Sequence, residues 1–485
     1  MGDTITLCAP AFLLPSMTDP DGGRIPPSET RFCQPDRNES ALGEPRGAPA
    51  SRPYAVWQSP NYRLYAISWF LIVFGKAVET VAVGIHIYDR TRDPMALGWL
   101  GLVQALPIIV LAMAGGQIAD RFDRRRVLMV MLALTSSVAA GLAVVSATGA
   151  SVQWMYMLLG VGAIGQALGG PARAAFLPQL VSAESFSHAI TWNSSVFQTA
   201  TMIGPAVGGL IVGATRSTTT AFLLIIACRL LSLAAISAIR SSPVERPAEP
   251  VTLETFLAGI RFVWRTRLIL ATIALDLFAV LLGGATYLLP IYAQEILKVG
   301  PSGLGFLRSA EAVGAVSMAM LLAHLPPLQR AGRTMLLAVS GFGVATIVYG
   351  LSTSFWLSLA MMFLIGALDN ISVVVRHTLV QMLTPDAMRG RVSAVNNIFI
   401  VASNDIGGLE SGLTARLMGP VASVVAGGIG AIAVVISAAR IWPEILTIGS
   451  LADVRPLDSS AAPAASAAAG ADSPGDEESI SCETA

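Results

Sequence analysis

Charge is what this chain lacks most. Only 13% of its 485 residues are Asp, Glu, Lys or Arg, against roughly 25% in a typical soluble domain. Lysine is nearly missing: Lys76 and Lys298 are the only two, so arginine carries the basic charge. Acids and bases balance at 31 each, and no basic tract points to nucleic acid. The cysteines Cys8, Cys33, Cys228 and Cys482 form no Cys-x-x-Cys pair, which argues against a disulfide framework or a thiolate metal site. The histidines His86, His188, His324 and His377 are scattered without ligand spacing. No phosphate-cradling loop and no recognisable Ser-His pair is present. The expectation is therefore a chain that is not an enzyme and that carries no cofactor and no metal.

What is there is apolar length. Hydrophobic residues make up 54% of the chain and the mean hydropathy is +0.65. A spanning helix needs about 20 mostly apolar residues. By that measure about twelve spans are expected, near 66–87, 97–118, 127–147, 152–172, 189–213 and 218–239, then 269–292, 303–324, 334–352, 355–376, 393–414 and 420–441. The fold class is an all-α polytopic membrane protein, a multi-pass chain in the lipid bilayer of a cell inner (cytoplasmic) membrane. Residues 1–60 and 443–485 are polar, Pro- or Ala/Ser-rich, and read as disordered tails. Met17 is an alternative start to Met1.

Basic residues in short loops set the orientation. Arg121, Arg124, Arg125 and Arg126, then Arg240 to Arg267, Arg330, Arg333, Arg389 and Arg391 fall on one side. Arg90, Arg92, Arg216, Lys298 and Arg308 fall on the other, beside Asp89, Asp93 and Glu295. Both termini are then cytoplasmic. Gln179-Leu-Val-Ser-Ala-Glu184 returns as Gln381-Met-Leu-Thr-Pro-Asp386, and each copy precedes a Gly-bearing span. That offset carries six spans onto six. The expected domains are two pseudo-symmetric six-helix bundles, 61–240 and 268–442, joined by a cytoplasmic linker, 241–267. Parallel six-span repeats with a midplane site between them are a known transporter plan.

The most specific stretch is Gly116-Gln-Ile-Ala-Asp120-Arg121-Phe-Asp-Arg124-Arg125-Arg126-Val-Leu128, which joins the second and third spans as expected antiparallel neighbours. Its pattern resembles the loop signature of the major facilitator superfamily, and Asp123, where that superfamily usually has Gly, resembles its drug and siderophore exporter branch. The likeness covers about residues 60 to 441. It implies that Asp120, with Gly116, Arg121, Arg124 and Arg125, helps hold the cytoplasmic side closed against the eleventh span, which Arg389-Gly-Arg391-Val392 precedes. Alternatively Asp120 is a solvated loop residue and the arginines are topology signals. Gly204-Pro205-Ala-Val-Gly208-Gly209 resembles the core of an antiporter motif, and reads as a hinge and interface or as ordinary close packing. The superfamily's fourth-span arginine has no counterpart, because Met155 to Gly170 carries no charge. Monomeric function is a further implication.

Ionisable residues in a span are functional candidates by default. Lys76 and Glu79 share a face of the first span, either as mutual neutralisers or as a site. Asp276, Glu311 and Asp369 lie in the seventh, eighth and tenth spans, and Asp405 and Glu410 in the eleventh. The outer spans three, six, nine and twelve hold only Arg229 mid-span. Glu79 and Asp276 stand first as proton-coupling candidates, with Glu311, Asp405 and Asp369 next. The expected function is export of an amphipathic small molecule (a drug, siderophore or metabolite) by alternating access with proton antiport. The alternative is a transporter-like sensor, or an importer or uniporter of a small metabolite.

Overall fold

The computed structural model describes residues 54–240, 253–283, 285–326, 328–385 and 388–449. The first tail to residue 53, most of the second tail, the first part of the linker, Cys8, Cys33, Cys482 and Asp386 lie outside the described residues.

Local chemistry sets the helix starts. Helix α1 (Pro60–Thr91) begins with Pro at its first position, and the Ser59 hydroxyl accepts from the Tyr62 N–H. Helix α2 (Pro94–Arg121) repeats the device, with Asp93 accepting from Met95 N–H. A side-chain acceptor satisfies an orphan donor, and the proline ring is preset for a first turn. Asp123 caps α3 (Arg124–Thr148), accepting from Arg126 N–H at 3.1 Å. The aspartate that departs from the superfamily loop pattern is thus the N-cap of the next helix. Next come α4 (Val152–Phe176), α5 (Phe186–Thr215) and α6 (Thr218–Ala238).

The region read as a polar linker holds a helix, α7 (Leu253–Arg265), packed on the start of α13. The seventh span is broken. Helix α8 (Arg267–Leu282) stops at Gly283, and a 3-10 turn, Ala285–Leu288, leads into α9 (Leu289–Ile291) and a π-helical turn, Tyr292–Ile296. Helices α10 (Gly300–His324), α11 (Ala331–Leu351), α12 (Phe355–Leu383), α13 (Arg389–Met418) and α14 (Pro420–Ile441) follow. The short α15 (Glu444–Thr447) buries Ile445, and Ala331 N–H donates to Gly449 O at 3.1 Å. The second tail therefore starts out docked on α11.

Among the described residues, ten helices are long and apolar enough to cross a bilayer. The other two of the twelve are α4, interrupted by Gly160, Gly162, Gly165, Gly169 and Gly170, and α13, which carries Asn396, Asn397, Asn404, Asp405 and Glu410. At 25 and 30 residues, each exceeds the roughly 20 needed to span.

Helices α1–α6 form one bundle and α8–α14 the other. In the first, α1 packs on α5 and α6, α2 on α4, and α3 on α4 and α6; in the second, α10 packs on α12 and α11 on α12 and α14. The joined pair α2 and α3 meet only lightly, because each spends its apolar surface on other partners. The bundles touch mainly through α2 with α13 and α5 with α10.

Those crossings depend on glycine. A Cβ on Gly412 would sit 2.8 Å from Gly98 Cα, and one on Gly209 2.8 Å from Gly305 Cα. Pro205 disrupts the α5 ladder, and the neighbouring Ala206 N–H donates across the bundles to Ser309 Oγ at 3.0 Å. At the opposite end, Gly116 and Gly390 have nothing within 4 Å of a built Cβ. The apolar core follows suit. One cluster spans both bundles at the Arg92 end, with Ile85, Tyr88, Leu288 and Tyr292. At the Gly116 end the core splits into separate clusters around Tyr65 and Phe176, and around Ile269 and Val392. The molecule is closed at the Arg92 end and parted at the Gly116 end.

Candidate functional site

The closed end is polar at its rim. Tyr88 O–H donates to Glu295, Arg92 Nη1 to Gln294 Oε1 at 3.1 Å, and Arg416 lies 3.8 Å from Asp93. Each contact joins one bundle to the other. None involves the loop residues expected to gate. Arg124 donates to Ala175 O at 2.9 Å, and Arg125 to Ile236 O at 3.2 Å and to Ser237 O. Both tie down helix ends inside their own bundle, where cations complement the carbonyl dipole ends. Arg121 is exposed, Arg389 Nε donates to Gln381 O at 3.3 Å, and Arg391 Nη1 meets Met388 Sδ at 3.5 Å. Asp120 closes the last turn of α2; its side chain lies outside the described residues. These hydrogen bonds of Arg124, Arg125 and Arg389 each stay within one half of the molecule.

Between the bundles lies a cavity of about 300 Å³, lined by Lys76, Gln104, Tyr287, Arg308, Glu311 and Asp405 among others. It adjoins a pocket of about 130 Å³ inside the second bundle, which holds Asp276, Asp369 and Arg376 and shares Tyr287, Glu311 and Asn404. Lys76 and Thr80 also face a third, largely apolar pocket inside the first bundle, about 470 Å³. Five of the six membrane acids thus converge on two adjoining cavities. Glu410 lies nearer the closed end, where Ser411 donates to it at 3.4 Å.

The acids are held differently. Glu79 sits between two cations, with Lys76 Nζ at 3.0 Å and the Arg229 guanidinium on its other oxygen. Lys76 also donates to Gln104 at 2.7 Å, and Arg229 to Thr135 O at 2.6 Å. Arg229, the one mid-span charge of the outer set, therefore reaches inward from α6. Asp276 pairs with Arg376 at 3.1 Å, with side chains only 7% and 3% exposed, and Arg376 also donates to Asn396 at 3.1 Å. Asp405 accepts from Tyr287 O–H at 2.6 Å. Among the described residues, Glu311 and Asp369 form no ion pair and no side-chain hydrogen bond. Both are half-buried on cavity walls. A carboxylate with so few compensating partners in a confined site is poorly stabilised, so among the described membrane acids these two are the least compensated.

Several of these partners escaped the sequence. Arg376 fell at the edge of the tenth span, but α12 runs on to Leu383 and buries it. Arg308, assigned to the outer loops, lies two turns inside α10 and donates to Thr286 O at 3.2 Å. Tyr287 sits on the broken seventh span. The one signal available was that Arg229 stands alone in an apolar run. Cys228 beside it is a buried free thiol.

Comparison with known proteins agrees with this architecture. Residues 51–468 match the family described as transmembrane secretion effectors. The enterobactin exporter EntS of Escherichia coli O1:K1 / APEC is 26% identical over 372 residues, covering 76% of this chain and 89% of the exporter. The protein of the same name from Shigella boydii serotype 18 matches equally. Among solved structures, a bacterial homologue of the human lysosomal transporter Spinster, inward-facing and occupied, superposes with a TM-score of 0.64. It is 14% identical, over 82% of this chain and 99% of that one. The nucleoside transporter NupG gives 0.61 at 11% identity, over 79% and 99%. At such identities these two structures speak to the fold alone. With its twelve-helix, two-bundle fold and a family match across most of its length, this chain belongs to the transmembrane secretion effector family of major facilitator transporters.

Proposed function

We propose that this transporter exports an amphipathic small molecule in exchange for protons, by alternating access between the two bundles. The carrying observation is the cavity system between and behind the bundles. It is sealed at the Arg92 end by glycine-lined crossings. Among the described residues it contains three carboxylates without cation partners, Glu311, Asp369 and Asp405, of which only Asp405 has a side-chain hydrogen bond. The loop-bearing end faces the cytoplasm in this reading, with both termini on that side, in the inner membrane and as a monomer. The Arg92-end contacts break and the loop-end contacts, including Asp120 with the start of α13, form as the bundles rock. The bundle limits near 61–240 and 268–442 are part of the same proposal.

Asp369 and Glu311 take precedence over Glu79 and Asp276 as proton sites. Binding a proton removes the cost of an unpaired carboxylate from water, whereas neutralising Glu79 or Asp276 would strand a buried cation. Asp405, hydrogen-bonded to Tyr287 in the same cavity, comes next. The exporter relatives favour efflux, and their named cargo makes siderophores natural test compounds beside amphipathic drugs.

Proteoliposomes with an internal pH dye, challenged with that panel, test the reading. Substrate-dependent proton movement is expected, lost in Asp369→Asn or Glu311→Gln. Transport that proceeds without proton movement, and at the same rate in both variants, would rule out the antiport assignment.

A further inference from the structure

The pocket inside the first bundle has a chemistry of its own. Its walls include Ile72, Val73, Met131 and Leu132, and three cations reach it: Lys76, Arg173 and Arg229. Lys76 and Arg229 share one carboxylate, Glu79. Arg173 has no carboxylate partner among the described residues. Its guanidinium lies over the Trp69 ring, 3.5 Å from the centroid. Trp69 in turn stacks on Phe197 at 6.0 Å and 18°, and its Nε1 is buried with no acceptor. So the pocket has a surplus of positive charge and an aromatic wall. The wall is built from three helices, α1, α4 and α5, so it is a tertiary product.

A half-buried guanidinium with no carboxylate partner among the described residues is poorly compensated. Stacked on an indole, it presents its N–H groups edgewise, in the fork that matches a carboxylate, sulfonate or phosphate. The adjacent ring faces accept a planar apolar body. We infer that this pocket is the substrate subsite of the transporter and that its ligand is an amphipathic anion, with the acidic group on Arg173 and a planar apolar part against Trp69 and Phe197. This rests on the transport reading and assigns the substrate class. Substrate and proton then occupy opposite bundles: the anion lies among the cations of the first, and the proton among the acids of the second. Gln166 and Thr201, on the same walls, supply neutral hydrogen bonds.

The test is direct binding to the full-length protein in zwitterionic-lipid nanodiscs, by equilibrium dialysis with empty discs subtracted. The probes are 2-naphthoate, neutral 2-naphthamide and the 2-naphthylmethylammonium ion. Naphthoate is expected to bind at least about tenfold more tightly than either match. Arg173→Gln should bring naphthoate down to the level of the amide, Arg173→Lys should retain part of the preference, and Phe197→Ala should weaken all three. Equal binding of the three probes to the unaltered protein, or undiminished naphthoate binding in Arg173→Gln, overturns the inference. The wild-type charge series decides by itself if Arg173→Gln does not fold. Asp369→Asn separates the two readings, because it should abolish proton movement and leave naphthoate binding intact. Charge-selective binding without any proton movement would sink antiport and spare the anion site; proton-coupled transport with no charge preference would do the reverse.

Discussion

The two six-helix bundles treat buried charge in opposite ways. In the first, the single membrane acid, Glu79, is clasped by Lys76 and Arg229 and the surplus is positive. In the second, Asp276 is answered by Arg376, while among the described residues Glu311, Asp369 and Asp405 have no ion-pair partner. A fully paired group holds structure, because removing either partner strands a charge. An unpaired group is free to change protonation without breaking anything. Pseudo-symmetry of the backbone therefore coexists with a division of labour in the side chains, one bundle cationic and aromatic, the other acidic.

The largest expected effect on transport breaks that contrast at its centre. Asp369→Asn should lower substrate-coupled proton movement by about a hundredfold, or roughly 2.7 kcal/mol of coupling, while leaving thermal stability nearly unchanged. Arg376→Met should do the opposite first: it leaves Asp276 buried alone, and losing one partner of such a pair costs about 3–5 kcal/mol. Its melting temperature in detergent should fall markedly, and the double variant Arg376→Met with Asp276→Leu should recover most of the loss. If the double variant is no better than the single, Asp276 and Arg376 are not coupled as the 3.1 Å pair requires.

The next effect concerns the two ends. Gly209→Leu places a side chain where Gly305 Cα already lies within 2.8 Å of a Cβ, so the Arg92 end cannot seal. Gly116→Leu meets nothing within 4 Å in this conformation. Spin labels across the Arg92 end should show a separated population rising by about tenfold in the first variant and unchanged in the second. The smallest effect should be Arg416→Ala. The Asp93–Arg416 pair spans 3.8 Å with both groups partly exposed, and such pairs contribute about 0.2–1 kcal/mol. A shift in the end-to-end distance distribution larger than that would promote this rim contact to a true latch.

Much of the fold could be read from the chain because the bilayer simplifies the problem. Apolar runs must span, and a charged loop must lie outside. The twelve spans and the acids along spans seven, eight, ten and eleven were legible in this way, whereas the Pro-starts of α1 and α2, several residues ahead of the expected spans, emerged only in the structure. Less visible was whatever depends on a partner far along the chain. Arg229 is 150 residues from Glu79 and Arg376 is 100 from Asp276, and no periodicity links them. The break at Gly283 was hidden because the residues on both sides are equally apolar. Helix α7 escaped notice as a short amphipathic stretch inside a polar, Pro-bearing segment. The loop motif pointed to the family, but Arg124 and Arg125 hold neighbouring helix ends in this structure, contacts between segments that the chain order does not make neighbours.

By itself the sequence determined that this protein is a multi-span bundle with an internal repeat and acids in its interior, since hydropathy and charge placement act locally and additively. Tertiary structure alone decided which acids are neutralised, where the cavities lie and which end is sealed. Those outcomes turn on distances of a few ångströms between helices that the chain order does not make neighbours. Coulombic and desolvation energies change steeply over such distances in a low-dielectric interior.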